Sequence, residues 1–193
     1  MELNSKDGWM EIRMAGEAVP SWNYLLQKGF FLTAVSGMSV REFLHEGLGF
    51  DDVFIETTVR TIFLNNSPVD DLDDTFVKDG DRMALGSAMP GLVGIVMGRD
   101  NFYKSFRSGI AVKDHSKVNA APARLSVKVF STLAVETGRD ILGRGLLVDA
   151  AELAAFLRDK KAVILKGDGL DAEAFLARLE TLDGDVPVRV EFA

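Results

Sequence analysis

Apolar and polar residues alternate in several short segments of the chain, a pattern typical of half-buried β-strands. In the first of these segments, Trp9 to Met14, the residues Met10, Ile12 and Met14 lie on one side. We predict further strands at residues 30–35, 57–64 and 82–85, because each is apolar or β-branched and is bounded by glycine, asparagine or aspartate turns.

A helix is predicted to begin after Ser39. The segment Ser39-Val40-Arg41-Glu42 matches a capping box, in which the serine hydroxyl and the glutamate carboxylate each accept a backbone N–H of the other residue. Apolar residues, including Phe43 and Leu44, follow at helical spacing, and Gly47 and Gly49 end the pattern. We therefore expect this helix to pack its apolar face onto a sheet.

The pattern restarts after the small-residue segment 120–123. Alternation of Leu125, Val127 and Val129 predicts a strand, and the glycines that follow it predict a hairpin to residues 146–148. Helices are then predicted after the capping residues Asp149 and Asp171, with strands at 162–165 and 186–192. The C-terminal part is thus predicted as a β-β-α-β-α-β unit.

Three N-terminal motifs carry a resemblance to a known family: the helix start Ser39–Leu44, the strand and turn Phe63–Val69, and the turn and strand Val77–Leu85. Together they resemble the ubiquitin-like β-grasp proteins, and most closely the small sulfur carriers of thiamine and molybdopterin biosynthesis. The resemblance covers about residues 9–90 and implies a β-grasp sheet with the helix packed across it.

The chain departs from these carriers where their activity resides. The carriers act through a free C-terminal Gly-Gly, whereas here Ser87-Ala88-Met89-Pro90-Gly91-Leu92 and the rest of the chain follow. The resemblance therefore supports the fold and not the carrier chemistry. An intact mass showing a chain that ends near Gly91 would reverse this interpretation.

Charge divides the chain into three parts. The net charge is −7, yet residues 98–124 carry six basic and two acidic side chains, so a basic connector separates two acidic parts. We expect an α+β protein in which a ubiquitin-like β-grasp domain (1–98) and the basic connector (99–124) are followed by a small α+β domain (125–193).

The glycine-rich and basic segment after the predicted β-grasp domain is the candidate binding site. Glycines let a backbone approach a ligand or another chain closely, and the neighbouring cations could hold an anion. The candidate residues for binding a protein partner or a small anionic ligand are Gly91, Gly94, Gly98, Arg99, Lys104 and Arg107. The alternative interpretation is a connector whose apolar residues fill the core, namely Leu92, Val93, Ile95 and Val96.

Two neighbouring features admit more than one interpretation. The aromatic residues Phe102, Tyr103 and Phe106 match one packed face of a short helix, although aromatic and basic residues together can also stack nucleic-acid bases. The acidic segment Asp70–Asp74 matches a solvated turn onto which the basic connector could dock. Its spacing does not reproduce a calcium-binding loop, so we expect no metal site.

The remaining candidate chemistry is weak. His45 and His115 lack a neighbouring serine or acid in a catalytic arrangement, and we expect both at the surface. The segment Gly167–Ala172 satisfies a dinucleotide fingerprint, with Glu191 as a candidate ribose-binding acid. Asp168 would repel the pyrophosphate, and too few strands follow, so we expect neither catalytic residues nor a cofactor.

Several function classes are disfavoured by composition. The chain has no cysteine, which excludes disulfides and thiolate catalysis, and its net charge argues against nucleic-acid binding. The apolar segment 83–98 is broken by Pro90, and the N-terminal sequence lacks a signal-peptide pattern, so we expect no membrane span and a cytoplasmic location.

The sequence favours a non-catalytic β-grasp protein that acts by protein–protein contact or small-ligand binding. The alternative is a relative of the sulfur carriers, or an enzyme of cofactor metabolism, that uses the region from Gly91 to Arg107. The sequence leaves the oligomeric state open.

Overall fold

The computed structural model describes residues 8–99 and 101–193. The protein is mixed α/β and divides into two compact units. One unit is Leu26–Glu136, and the other combines residues up to Leu25 with Thr137–Ala193. These limits differ from the expected ones at residues 98 and 125, because strands from the two ends of the chain pair with each other.

Strands and helices alternate along most of the described chain. The strands are β1 (Met10–Met14), β2 (Phe30–Val35), β3 (Thr61–Leu64), β4 (Ser67–Pro68), β5 (Arg82–Gly86), β6 (Pro122–Phe130), β7 (Leu146–Asp149), β8 (Ile164–Gly167) and β9 (Asp185–Phe192). The α-helices are α1 (Asn23–Lys28), α2 (Val40–Leu48), α3 (Asp52–Thr57), α4 (Gly91–Met97), α5 (Ser131–Arg144), α6 (Ala150–Arg158) and α7 (Ala172–Leu179). Short 3₁₀ segments lie at Gly16–Trp22, Lys104–Arg107 and Lys161–Val163.

In the unit Leu26–Glu136 the described strands lie in the order β4-β3-β5-β6-β2. Strands β5 and β6 are parallel, and the other neighbours are antiparallel. Strands β3 and β5, which lie within or close to the strands predicted at residues 57–64 and 82–85, are side by side in the sheet. The carboxyl ends of β5 and β6 meet where Gly86 lies opposite Phe130.

Helix α2 begins with the predicted capping box. Ser39 Oγ accepts the N–H of Glu42 at 3.1 Å, and the Glu42 carboxylate accepts the N–H of Ser39 at 2.6 Å. Phe43 and Leu44 are buried, as the helical spacing predicted, and the helix contacts β2. The cap and the apolar face therefore fix both the start and the orientation of α2.

The turn between β3 and β4 is also as predicted. Asn65 and Asn66 have φ angles of 51° and 69°, a left-handed conformation that asparagine tolerates better than most residues. The Asn65 side chain donates to Asp81 at 2.7 Å and accepts the N–H of Arg82 at 3.0 Å. This turn is therefore fastened to the start of β5.

In the second unit the described strands lie in the order β7-β9-β1-β8. Strand β1 is parallel to β9 and antiparallel to β8, and its residues alternate between buried and exposed as predicted. Trp22 is fully buried beside Phe156, with ring centroids 4.8 Å apart. The strand expected at residues 9–14 thus pairs with strands near the C-terminus, and not with the other strands predicted within residues 9–90.

The structure corrects two of the strand predictions. Residues 131–144 form α5 rather than part of a β-hairpin, so the C-terminal order is β-α-β-α-β-α-β from β6 onward. Pairs of buried residues recur along α5 at helical spacing: Leu133 and Ala134, Thr137 and Gly138, and Ile141 and Leu142. The predicted strand 57–64 was likewise too long, because Thr57 ends α3 and β3 begins at Thr61. Among the described residues, no helix is both long and apolar enough to cross a membrane.

Candidate functional site

The segment that the sequence singled out for binding begins with helix α4. Gly91 starts this helix with a φ of 80°, and the N–H of Gly98 donates to the Gly94 carbonyl at 3.0 Å. Gly94 is buried, and a Cβ at this position would lie 2.0 Å from the Met89 carbonyl oxygen. Glycine at position 94 is therefore needed for residues 89–90 to fold back onto α4.

Arg99 is buried against the end of α3 rather than open to solvent. Its Nη2 donates to the carbonyl oxygens of Ile55 at 2.7 Å and Val59 at 3.2 Å, and lies 3.5 Å from the Glu56 carboxylate. Only 2% of the residue is exposed. The guanidinium thus holds the chain after α4 in place.

Arg107 forms a second buried anchor. Its Nη2 lies 2.6 Å from the Asp70 carboxylate, and its Nε donates to the Val96 carbonyl at 2.7 Å. Nη2 also donates to the Gly98 carbonyl at 3.2 Å. Arg107 therefore joins the end of α4 to the acidic turn. This contact is the docking of the basic connector onto the acidic turn that the sequence suggested.

The three predicted cations do not form a common anion site in this structure. Arg99 and Arg107 are buried among carbonyl oxygens and carboxylates, whereas Lys104 is exposed. The acidic turn is used in the same way, since Asp70 pairs with Arg107 and Asp73 accepts from Arg41 at 2.7 Å.

The described part of residues 89–110, which we call the apolar arm, exposes large apolar side chains. Phe102, Leu92 and Phe106 are the most exposed, at 91%, 81% and 78%. The arm also exposes Met89, Val93, Ile95, Tyr103 and Ile110. The interpretation of Leu92, Val93 and Ile95 as core residues was therefore wrong.

The aromatic residues of the arm contact one another instead of a helix-packed core. The ring of Tyr103 lies 5.5 Å from that of Phe102, edge-on, and 6.1 Å from that of Phe106, stacked. The three rings lie in a row that remains open to solvent. The prediction that they form one packed face of a short helix is therefore wrong.

A pocket of about 370 Å³ lies next to the first residues of the arm, at the carboxyl ends of β5 and β6. The side chains of Phe63 and Ala84 lie on one face of the sheet. The buried Ile62 and Met83 lie on the opposite face, as strand alternation requires. The pocket is lined by Thr61, Phe63, Ala84, Leu85, Gly86, Ser87, Ala88, Met89, Pro90, Phe130 and Ser131.

The lining of this pocket is apolar apart from a few hydroxyl and backbone groups. Among the described residues that line it, none has an ionisable side chain, and the side-chain polar atoms belong to Thr61, Ser87 and Ser131. The Thr61 hydroxyl donates to the Ser87 carbonyl at 3.4 Å, and the Ser87 hydroxyl is hydrogen bonded to Thr132. Such a pocket suits an uncharged ligand, because a buried charge would have no opposite charge to pair with.

Ser131 contributes backbone strain to the pocket wall. Its φ of 56° lies in the left-handed region, where residues other than glycine are uncommon, and the chain turns there from β6 directly into α5. Strained residues of this kind concentrate at functional sites. The strain thus supports the pocket as the candidate site.

Neither histidine is among the residues that line the pocket. His45 Nε2 is 3.1 Å from Asp52, and His115 Nδ1 is 2.7 Å from the Asp74 carbonyl oxygen. Within the part of the chain that the structure describes, no group of three or more histidine, aspartate or glutamate residues is placed to hold a metal ion.

The glycine-rich turn Gly167–Ala172 lies in the other unit. Strand β8, which leads into it, is antiparallel to β1, whereas a dinucleotide fingerprint requires a parallel β-α-β unit. Asp168 accepts the N–H of Glu11 at 2.9 Å and lies 3.2 Å from Arg178. This turn is therefore held by local contacts in a setting that does not fit the fingerprint.

The sequence interpretation missed the pocket, although one signal of it was present. Phe63 and Phe130 occupy strand positions where alternation predicts a polar residue, since their strand neighbours Ile62 and Val129 are buried. A large apolar residue on the outer face of a strand indicates a second layer or a binding surface.

Comparisons of the chain with protein-family models, curated proteins and solved structures found no match.

Proposed function

We propose that this protein is a non-catalytic binding protein and that the pocket at the ends of β5 and β6 takes a small, uncharged, largely apolar molecule. The observation that carries the proposal is a pocket of about 370 Å³ with no ionisable side chain among the described residues of its lining. This volume is within the usual range for small-molecule sites.

The lining also indicates how such a ligand would be oriented. Phe63 and Phe130 supply aromatic surface, while the hydroxyl groups of Thr61, Ser87 and Ser131 offer a few polar contacts. Apolar surface provides most of the free energy of binding, and a small number of polar groups fixes the orientation of the ligand. The same lining disfavours general acid–base catalysis, which needs a titratable group within reach of the reacting atom.

We further propose that the sheet of Leu26–Glu136 is a β-grasp sheet whose first strand is supplied from later in the chain. In a β-grasp fold a hairpin precedes the helix, and the first strand of that hairpin lies parallel to the last strand of the domain. Here β2 precedes α2, and the strand antiparallel to β2 and parallel to β5 is β6. The order β4-β3-β5-β6-β2 supports this assignment.

Binding of an uncharged fluorescent probe to the intact protein tests the ligand proposal. N-phenyl-naphthylamine is uncharged and brightens in apolar surroundings, and anilinonaphthalene sulfonate has the same rings with an added anionic group. We expect the uncharged probe to bind more tightly, and Ala84→Leu to weaken its binding at least about tenfold by filling the pocket.

Thr33→Leu is the matched control, because Thr33 is exposed on β2 and does not line the pocket. It adds apolar bulk to a strand outside the pocket and should leave the dissociation constant unchanged. Tighter binding of the sulfonated probe, or equal weakening by both variants, would contradict the proposed pocket ligand.

A further inference from the structure

The apolar arm exposes more apolar surface than a soluble monomer usually does. A large aromatic side chain has about 150–250 Å² of surface, and an aliphatic one has somewhat less. Multiplied by the exposed fractions, these areas give the arm on the order of 900 Å² of exposed apolar surface. The largest apolar patch on a typical monomer is about 300–600 Å², whereas one partner in a stable interface contributes about 800 Å². The arm thus has the area of one side of a complete interface.

Buried hydrogen bonds and ion pairs fasten the arm to neighbouring parts of the unit. Arg99 and Arg107 anchor it through buried guanidinium groups, and the N–H of Arg99 donates to the Arg60 carbonyl at 2.6 Å. Beyond the arm, the N–H of Val112 donates to the Pro68 carbonyl at 3.0 Å. A surface that is ordered before binding loses less conformational entropy when it associates.

We infer that the apolar arm is a homodimer interface and that its occupant is the arm of a second copy of this chain. The charges of Arg99 and Arg107 are buried against oxygen acceptors, so these two side chains do not contribute to the exposed face. Among the described residues of the arm, the exposed side chains are mainly apolar and aromatic, and Lys104 is the exposed cation. Selection of a different protein generally relies on charges complementary to those of that partner. An apolar face of this area can instead pack against the same face of a second copy, as in a two-fold symmetric interface.

Sedimentation equilibrium of the full chain tests this inference directly. We expect wild-type protein to be dimeric at concentrations of about 10–200 µM, and the double substitution F102S/F106S to weaken the dimer at least about 100-fold. Both rings are exposed, so the variant should fold, which circular dichroism and thermal unfolding would verify. Val53→Ser is the matched control, because Val53 is 72% exposed on α3 outside the arm and should have no effect on the dimer.

The absence of native cysteine permits an independent measurement. Lys104→Cys places one thiol on the arm, and Val53→Cys places one outside it. A short bismaleimide should link two copies of the Lys104→Cys variant much faster than two copies of the Val53→Cys variant. A monomeric wild type across this concentration range, a dimer that F102S/F106S leaves intact, or equal cross-linking of the two cysteine variants would overturn the inference.

Discussion

Three arginines in the unit Leu26–Glu136 have different structural roles because their surroundings differ. Arg99 donates mainly to carbonyl oxygens, and Arg107 combines carbonyl oxygens with one carboxylate. Arg41 is partly exposed and contacts three carboxylates, with distances of 2.7 Å to Asp73, 2.8 Å to Glu56 and 3.1 Å to Asp52. The first two fix the arm, whereas Arg41 joins α2 to α3 and to the acidic turn.

The acidic turn should lose stability in acid because of Arg41. Hydrogen bonds from its guanidinium hold the pKa of Asp73 below the ordinary value of 3.8. A carboxylate with a lowered pKa in the folded state stabilises the protein above pH 3.8, and this contribution is lost as the pH falls through the folded-state pKa. We expect the free energy of unfolding to fall more steeply below about pH 4 in the wild type than in Asp73→Asn.

The effect is small, less than about 1 kcal/mol, because both side chains are partly or largely exposed and solvent screens the pair. Urea unfolding at a series of pH values, repeated for Arg41→Met and the double variant, forms a double-mutant cycle. Arg41→Met also removes the contacts to Asp52 and Glu56, so it should reduce the slope at least as much as Asp73→Asn does. Adding Asp73→Asn to Arg41→Met should give no further reduction. Independent, additive effects of the two substitutions would refute the proposed link.

At the scale of secondary structure, the sequence predicted the elements whose ends are marked by a capping residue or a turn residue, and it did not predict the others. Helix α2 followed from its capping box, and the β3–β4 turn followed from Asn65 and Asn66. Helix α5 was missed because Gly138 and Gly143 lie inside it, and glycine costs about 1 kcal/mol in a helix interior. Tertiary burial of residues such as Leu133 and Ile141 outweighs that local cost.

The capping box of α2 should make a measurable contribution to stability. Ser39→Ala removes the acceptor for the N–H of Glu42 and should lower the free energy of unfolding by about 1 kcal/mol. Ser39→Gly is the control, because glycine at a helix N-cap costs only a few tenths of a kcal/mol relative to serine. Urea midpoints of the two variants provide the comparison, and a Ser39→Ala protein as stable as Ser39→Gly would show that the cap is unimportant.

At the scale of the whole molecule, the sequence could not predict which strands meet. β6 lies about 90 residues after its neighbour β2, and β1 pairs with β9 from the opposite end of the chain. Alternation identifies a strand and its buried face but carries no information about its distant partner. The pocket depends on the pairing of β5 with β6, and the arm depends on buried arginine anchors. The sequence therefore located the segment of interest but could not give its three-dimensional arrangement.

The discontinuous unit predicts where a core substitution acts. Ile12 is 1% exposed in β1, between β9 and β8, and Ile12→Ala should cost about 2–5 kcal/mol. Local unfolding usually follows compact units, so amide hydrogen exchange should accelerate in β8 and β9 and change little in β5 and β6. Leu125→Ala in β6, where Leu125 is fully buried, should give the reverse pattern. Acceleration of exchange in all four strands by both variants would show instead that the chain opens as one cooperative unit.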